Sequence, residues 1–163
     1  MISIDLEGAD LAGADLESRV ASWAASASDD AVAVRAVIEA YGDRVSAADV
    51  AGAVSQFTGN AAVMQPEHKT VVGSQQLTAT YDAAFENMRL NFTFRFDDIT
   101  VNGDLAAVRT TSQGSITIRA TGETQPARLR QLFVLERTGG DWKIAQYMYQ
   151  QMPEQSGGGC SGI

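Results

Sequence analysis

His68 is the single histidine of the chain and the only side chain expected to titrate near neutrality. It follows Pro66 and Glu67 in a loop-forming stretch, where a neutral imidazole is a candidate general base. Tyr41 lies on the apolar stripe of a helical segment, and a phenol held in an apolar pocket can donate to a developing enolate. Gln131 alternates in phase with Phe133, and Gln146 with Trp142 and Ile144. An amide on an apolar face can hydrogen-bond a carbonyl but cannot shuttle protons. Tyr81, Phe85, Phe94 and Met148 offer aromatic and thioether surface suited to flat or extended unsaturated ligands, although core packing explains each taken singly. Tyr41 and His68 are therefore the candidate catalytic residues. Gln65, Tyr81, Phe85, Phe94, Gln131, Gln146 and Met148 are the candidate ligand-binding residues.

Other chemistries find no support. One histidine and one cysteine, Cys160, make no metal-ligand cluster. A phosphate-binding glycine loop, a dinucleotide fingerprint and a G-x-S-x-G elbow are all missing, so no cofactor is expected. The formal net charge is −8. Residues 1–30 carry seven acids against Arg19 alone, which leaves the remainder close to neutral. Without a basic stripe, nucleic acid and anionic membranes are not expected partners. No apolar run approaches the ~18 residues of a membrane span. The amino terminus lacks the basic and apolar regions of a secretory signal, and the lone cysteine suits a reducing compartment, so a cytoplasmic location is expected.

The elements that must position these residues read as α+β. A helix is expected after Ser28-Asp29-Asp30, because Val34, Val37, Ile38, Tyr41 and Val45 recur at helical spacing. Ser46-Ala47-Ala48-Asp49 should open a second helix burying Val50, Val54 and Phe57 and ending at Gly59-Asn60. A short strand, Ala61 to Gln65, stops at Pro66. Ser74 should cap a third helix with Leu77, Tyr81, Phe85 and Met88 inside. The period then changes to two, with strands through Phe92, Phe94 and Phe96 and over Leu105 to Ile118, the latter bent or bulged at Gly114. Ala127 to Gln151 is a hairpin about Gly139-Gly140. Both its faces are apolar. Leu132, Val134, Ala145, Tyr147 and Tyr149 are expected to face outward and to form a homodimer contact. Residues 1–27, with units such as Ala9-Asp10-Leu11 and Ala14-Asp15-Leu16 that echo pentapeptide repeats, read as an acidic flexible leader. Trp23 could dock that leader onto the domain. Residues 28–153 form the domain, and 154–163 a Gly/Ser-rich tail.

In order and spacing, several of these pieces resemble the nuclear transport factor 2-like superfamily over about Ala31 to Pro153. They are Ala48-Asp49-Val50, Ala61 to Pro66, Gly73, Leu132-Phe133-Val134-Leu135, Trp142-Lys143-Ile144 and Tyr147-Met148. The resemblance is nearest to the SgcJ/EcaC-type branch known from natural-product gene clusters of enediyne type. It implies a cone-shaped, curved antiparallel sheet packed with three helices and open at one end to an apolar pocket, with His68 near its rim. It also implies comparisons with ketosteroid isomerases. Tyr41 stands eight residues before Asp49, as their oxyanion-binding tyrosine stands before a matching aspartate. Gln65 and Gln131 occupy the places of their catalytic base and their protonated aspartate. Amides at both positions argue against isomerase chemistry by that route. The function implied is a pocket protein of secondary metabolism that binds or cyclises a polyketide or polyene-like intermediate. The alternatives are a non-enzymatic binder, for sequestration or self-resistance, and a dimeric interaction domain.

Overall fold

The computed structural model describes the backbone of residues 13–153 and the side chains of residues 28–153. Three helices and six strands follow in the order α1 (Gly13–Ser46), α2 (Val50–Val54), β1 (Phe57–Met64), β2 (Val71–Val72), α3 (Ser74–Asn87), β3 (Met88–Asn102), β4 (Leu105–Ile118), β5 (Thr124–Thr138) and β6 (Asp141–Gln151). The strands form one open, curved sheet in the order β2-β1-β6-β5-β4-β3. Only the β1–β6 pair is parallel. The fold is thus the expected α+β arrangement of helices packed on a curved sheet.

The helical stripe of α1 is buried as its spacing requires: Val34 and Ile38 are sealed, with Tyr41 and Val45 close behind. The helix starts earlier than Ser28-Asp29-Asp30, since its backbone runs helically from Gly13. Ala14-Asp15-Leu16 therefore sits on a helix. The earlier pentapeptide-like units, the Trp23 side chain and the tail with Cys160 lie outside the described residues. Asp30 ties α1 to the strand turns: Arg137 Nη1 meets its carboxylate at 2.7 Å, and Arg137 Nε meets Asp104 at 2.9 Å. The Arg137 guanidinium also lies 4.9 Å over the Trp142 ring.

The second helix is only five residues long. Its cap is Asp49, which accepts from the Gly52 amide at 2.9 Å; Ser46 is still in α1. Phe57, Gly59 and Asn60 lie on β1 instead of ending the helix. Gly73, not Ser74, caps α3, and Met88 already belongs to β3.

Gly139 and Gly140 both have positive φ, 61° and 87°, the geometry of a two-residue hairpin turn. At Gly114 the pairing with β3 runs on without a bulge. A Cβ there would lie 1.8 Å from the Asn91 carbonyl oxygen, so this glycine permits close backbone approach. The register shifts fall elsewhere: between Phe57 and Ala62 on β1, between Phe96 and Asp98 on β3, and at Ala145, where Val134 pairs Gln146 but Leu135 pairs Ile144.

Candidate functional site

The concave face of the sheet, α1, α3 and the loop after β1 enclose a cavity of about 1010 Å³. The phenols of Tyr41 from α1, Tyr81 from α3, and Tyr147 and Tyr149 from β6 all line it. These are all the tyrosines of the chain. Phe92 and Phe94 from β3, with Leu129 from β5, extend the apolar wall. Tyr147 stacks on Phe133 at 4.4 Å with near-parallel rings, and Tyr41 meets Phe57, Tyr81, Phe133 and Tyr147 edge-on.

Polar atoms converge among the aromatic rings. The Tyr41 and Tyr81 hydroxyls share a 2.8 Å hydrogen bond. Burial, reinforced by Tyr81, holds the Tyr41 phenol well above its ordinary range. Burial likewise raises Tyr81 and Tyr149, and raises Tyr147 with Tyr41 adding to the effect. All four phenols are therefore hydrogen-bond partners at neutral pH and not bases.

Gln131 lies on this wall but is already paired. Its Oε1 accepts from Thr110 Oγ1 at 2.8 Å, and its Nε2 donates to Ser112 Oγ at 2.8 Å. All three side chains are buried. The amide that could have met a ligand carbonyl instead has a partner set built into β4. Those partners are visible in hindsight as Thr110 and Ser112, inward-facing hydroxyls one strand away.

Gln65 is half-buried at the cavity wall, together with Gln131. His68 is exposed at the mouth beside Glu67 and Lys69. Its Nδ1 lies 2.8 Å from the Pro66 carbonyl oxygen. A carbonyl only accepts, so Nδ1 carries a hydrogen, and the lone pair of a neutral ring falls on Nε2. Among the described residues, Glu67 is the only carboxylate residue on the cavity lining. Asp49 is occupied at its helix cap and by Arg44 at 3.3 Å.

Three expected wall residues lie elsewhere. Gln146 and Met148 are exposed on the outer face of the sheet, Met148 to 47%. The cause is the bulge at Ala145, which reverses the side-chain parity of the rest of β6 and turns Tyr147 and Tyr149 inward. A trace of this was present in the sequence, because the apolar residues Ile144 and Tyr147 are an odd number of positions apart. Phe85 is buried behind Tyr81, ring to ring at 5.7 Å, and is not on the cavity wall. Among the described residues, no group of three or more His, Cys, Asp or Glu is placed to hold a metal ion. No described helix is long and apolar enough to cross a membrane.

An open, curved sheet wrapped around helices with an apolar cavity defines the nuclear transport factor 2-like class. Residues 34–152 match the SnoaL-like domain, and the chain belongs to that family. It is similar to a ketosteroid isomerase-like protein from Erwinia carotovora atroseptica, with 25% identity and a TM-score of 0.73 over 77% of this chain and 98% of that one. A nuclear transport factor 2-like superfamily protein from Salmonella enterica is 21% identical, with a TM-score of 0.63 over 78% of this chain and 92% of that one. A domain of unknown function with a cystatin-like fold from Nostoc punctiforme is 18% identical, with a TM-score of 0.61 over 76% and 77% of the two chains. No curated protein matches the sequence.

Proposed function

We propose that the protein is a small-molecule pocket protein of secondary metabolism that holds or cyclises an extended, unsaturated, polyketide or polyene-like intermediate in the cytoplasm. The observation that carries this reading is the cavity itself: about 1010 Å³, aromatic along its walls, with phenols inside and, among the described residues, one carboxylate residue, in the mouth loop. Such a surface favours flat conjugated ligands and orients them with few hydrogen bonds. The SnoaL-like membership is compatible with it. An SgcJ/EcaC-type role in a natural-product cluster is the narrower form of the same reading.

In the enzymatic form, a phenol polarises a ligand carbonyl while His68 Nε2 takes a proton at the mouth. Ketosteroid isomerisation is not expected, because Gln65 and Gln131 cannot accept the proton. The non-enzymatic form, a sequestering binder, is favoured by the pairing of Gln131 with Thr110 and Ser112, which holds the amide in the wall. Incubation with a linear poly-β-ketone, followed by chromatography, separates the two. A cyclised product that falls about tenfold or more in both Tyr41→Phe and His68→Gln supports the enzyme. Stoichiometric binding without product supports the binder. Neither binding nor product contradicts both.

A further inference from the structure

Resting on that reading, we propose that the ligand ends in a carboxylate, and that Lys69 is the binding residue that holds this group at the cavity mouth while the unsaturated chain lies inside. Among the described residues, the lining carries two residues with full charges, Glu67 and Lys69, and both belong to the loop after β1. From the far end of the sheet, β3 and β4 give the cavity Met88, Leu90 and Ile116, all apolar and half-buried. Charge is therefore confined to one side of the opening. The chain has only two lysines. Lys143 is occupied, its Nζ donating to the Ser55 carbonyl oxygen at 2.8 Å. Lys69 is exposed, and none of the ion pairs among the described residues includes it.

The loop that presents Lys69 has a set shape. The His68 amide donates to the Gln65 carbonyl oxygen at 3.4 Å, which closes a four-residue turn. Pro66 takes its second position and Glu67 its third, with a φ of 61°. Glycine is the usual residue at that φ, and a glutamate held there marks strain of the kind that gathers at ligand clamps. The His68 ring braces the same turn through its 2.8 Å contact with Pro66. An ammonium has three donors and no acceptor, and its four-carbon stem can lie along apolar lining while its head follows a ligand's end. Glu67 could hold a cation by the same logic, but Lys69 and a protonated His68 would oppose it. Two of the three side chains thus favour an anion. Inside, the phenols are protonated and no cation lines the wall among the described residues, so a carboxylate there would be buried unpaired. The acid end must stay at the mouth.

The test uses the full chain and two forms of a fluorescent tetraene, parinaric acid and its methyl ester, which differ in charge at one end. At neutral pH and low salt the unmodified protein should bind the acid about threefold to fivefold more tightly than the ester, the size of one exposed ion pair. Lys69→Met should remove that preference by weakening the acid alone, and Lys69→Arg should keep it. Glu67→Gln should strengthen the acid and leave the ester unchanged, an opposite sign that a merely structural role would not produce. Raising the salt to about 0.5 M should erase most of the preference. Ester binding by each variant reports that its cavity is intact. Ester bound as tightly as acid by the unmodified protein, or a preference that survives Lys69→Met, overturns the assignment and leaves the pocket reading in place. Binding of neither probe contradicts the pocket reading and this assignment together.

Discussion

Gln131 shows how a polar side chain on an apolar wall can serve as scaffold. Its amide holds two buried hydroxyls, Thr110 and Ser112, on the adjacent strand. Gln131→Leu keeps the volume close but strands both hydroxyls, each costing about 1–3 kcal/mol. Urea unfolding should show a loss of roughly 2–4 kcal/mol, and a loss below about 1 kcal/mol would mean the hydroxyls find other partners. The phenols make a second prediction. Tyr41, Tyr81 and Tyr147 ionise at higher pH when folded than when unfolded. Above pH ~10 the unfolded chain releases their protons while the folded chain keeps them. Their contribution is therefore complete below that pH and is lost as pH rises beyond it, at about 1.4 kcal/mol per pH unit for each phenol. Tyrosinate absorbance should rise in one step that coincides with loss of circular dichroism. A gradual rise near pH 10 with the fold intact would show that the phenols reach water.

Among the elements, β4 and β5 were legible from alternation alone, because each has one sealed face and one open face. Leu105–Ile118 carries the span that its period-two pattern implies, and the Gly139-Gly140 turn has the φ values its residues favour. The second half of β6 was not legible. Both its faces carry large apolar side chains, so the pattern fitted either phase, and a single inserted residue at Ala145 decided which tyrosines reach the cavity. The second helix was misread for a related reason: Phe57 continues a helical spacing by coincidence while its backbone pairs with Ile144. Tyr41, Gln65, His68, Tyr81, Phe94 and Gln131 do come together on the cavity wall, since helix stripe, loop and unbulged strands set their directions. Gly114 gives the test of sheet geometry. Gly114→Ala drives a methyl into the Asn91 carbonyl, and should cost roughly 2–4 kcal/mol. Gly59→Ala meets open space and should change stability by less than about 1 kcal/mol, so equal effects would contradict the close approach.

For the whole molecule, the outer sheet face is the surface most in want of a partner. The bulge revises its membership: Leu105, Leu132 and Met148 are exposed there, while Tyr147 is buried inside. A homodimer across this face remains our expectation, and Leu132→Glu with Met148→Glu should convert it to monomer in light scattering at micromolar concentration. A monomer mass for the unmodified protein would contradict it. Among the described residues, the sealed part of α1 begins near Val34, and Asp30 ties the helix to the strand turns. A chain spanning Ser28 to Pro153 should therefore melt cooperatively close to the full-length temperature. A failure to fold would assign residues before Ser28 to the core.

The central claim is that the cavity takes an extended unsaturated ligand, and a titration with the fluorescent tetraene parinaric acid tests it most directly. Leu129 lines the wall and is half-buried, so Leu129→Trp should fill space without disturbing the sealed core. The unmodified protein should enhance the tetraene fluorescence to saturation at one ligand per chain, and Leu129→Trp should weaken binding at least about tenfold. Equal binding by both proteins, or no enhancement by either, would contradict the claim.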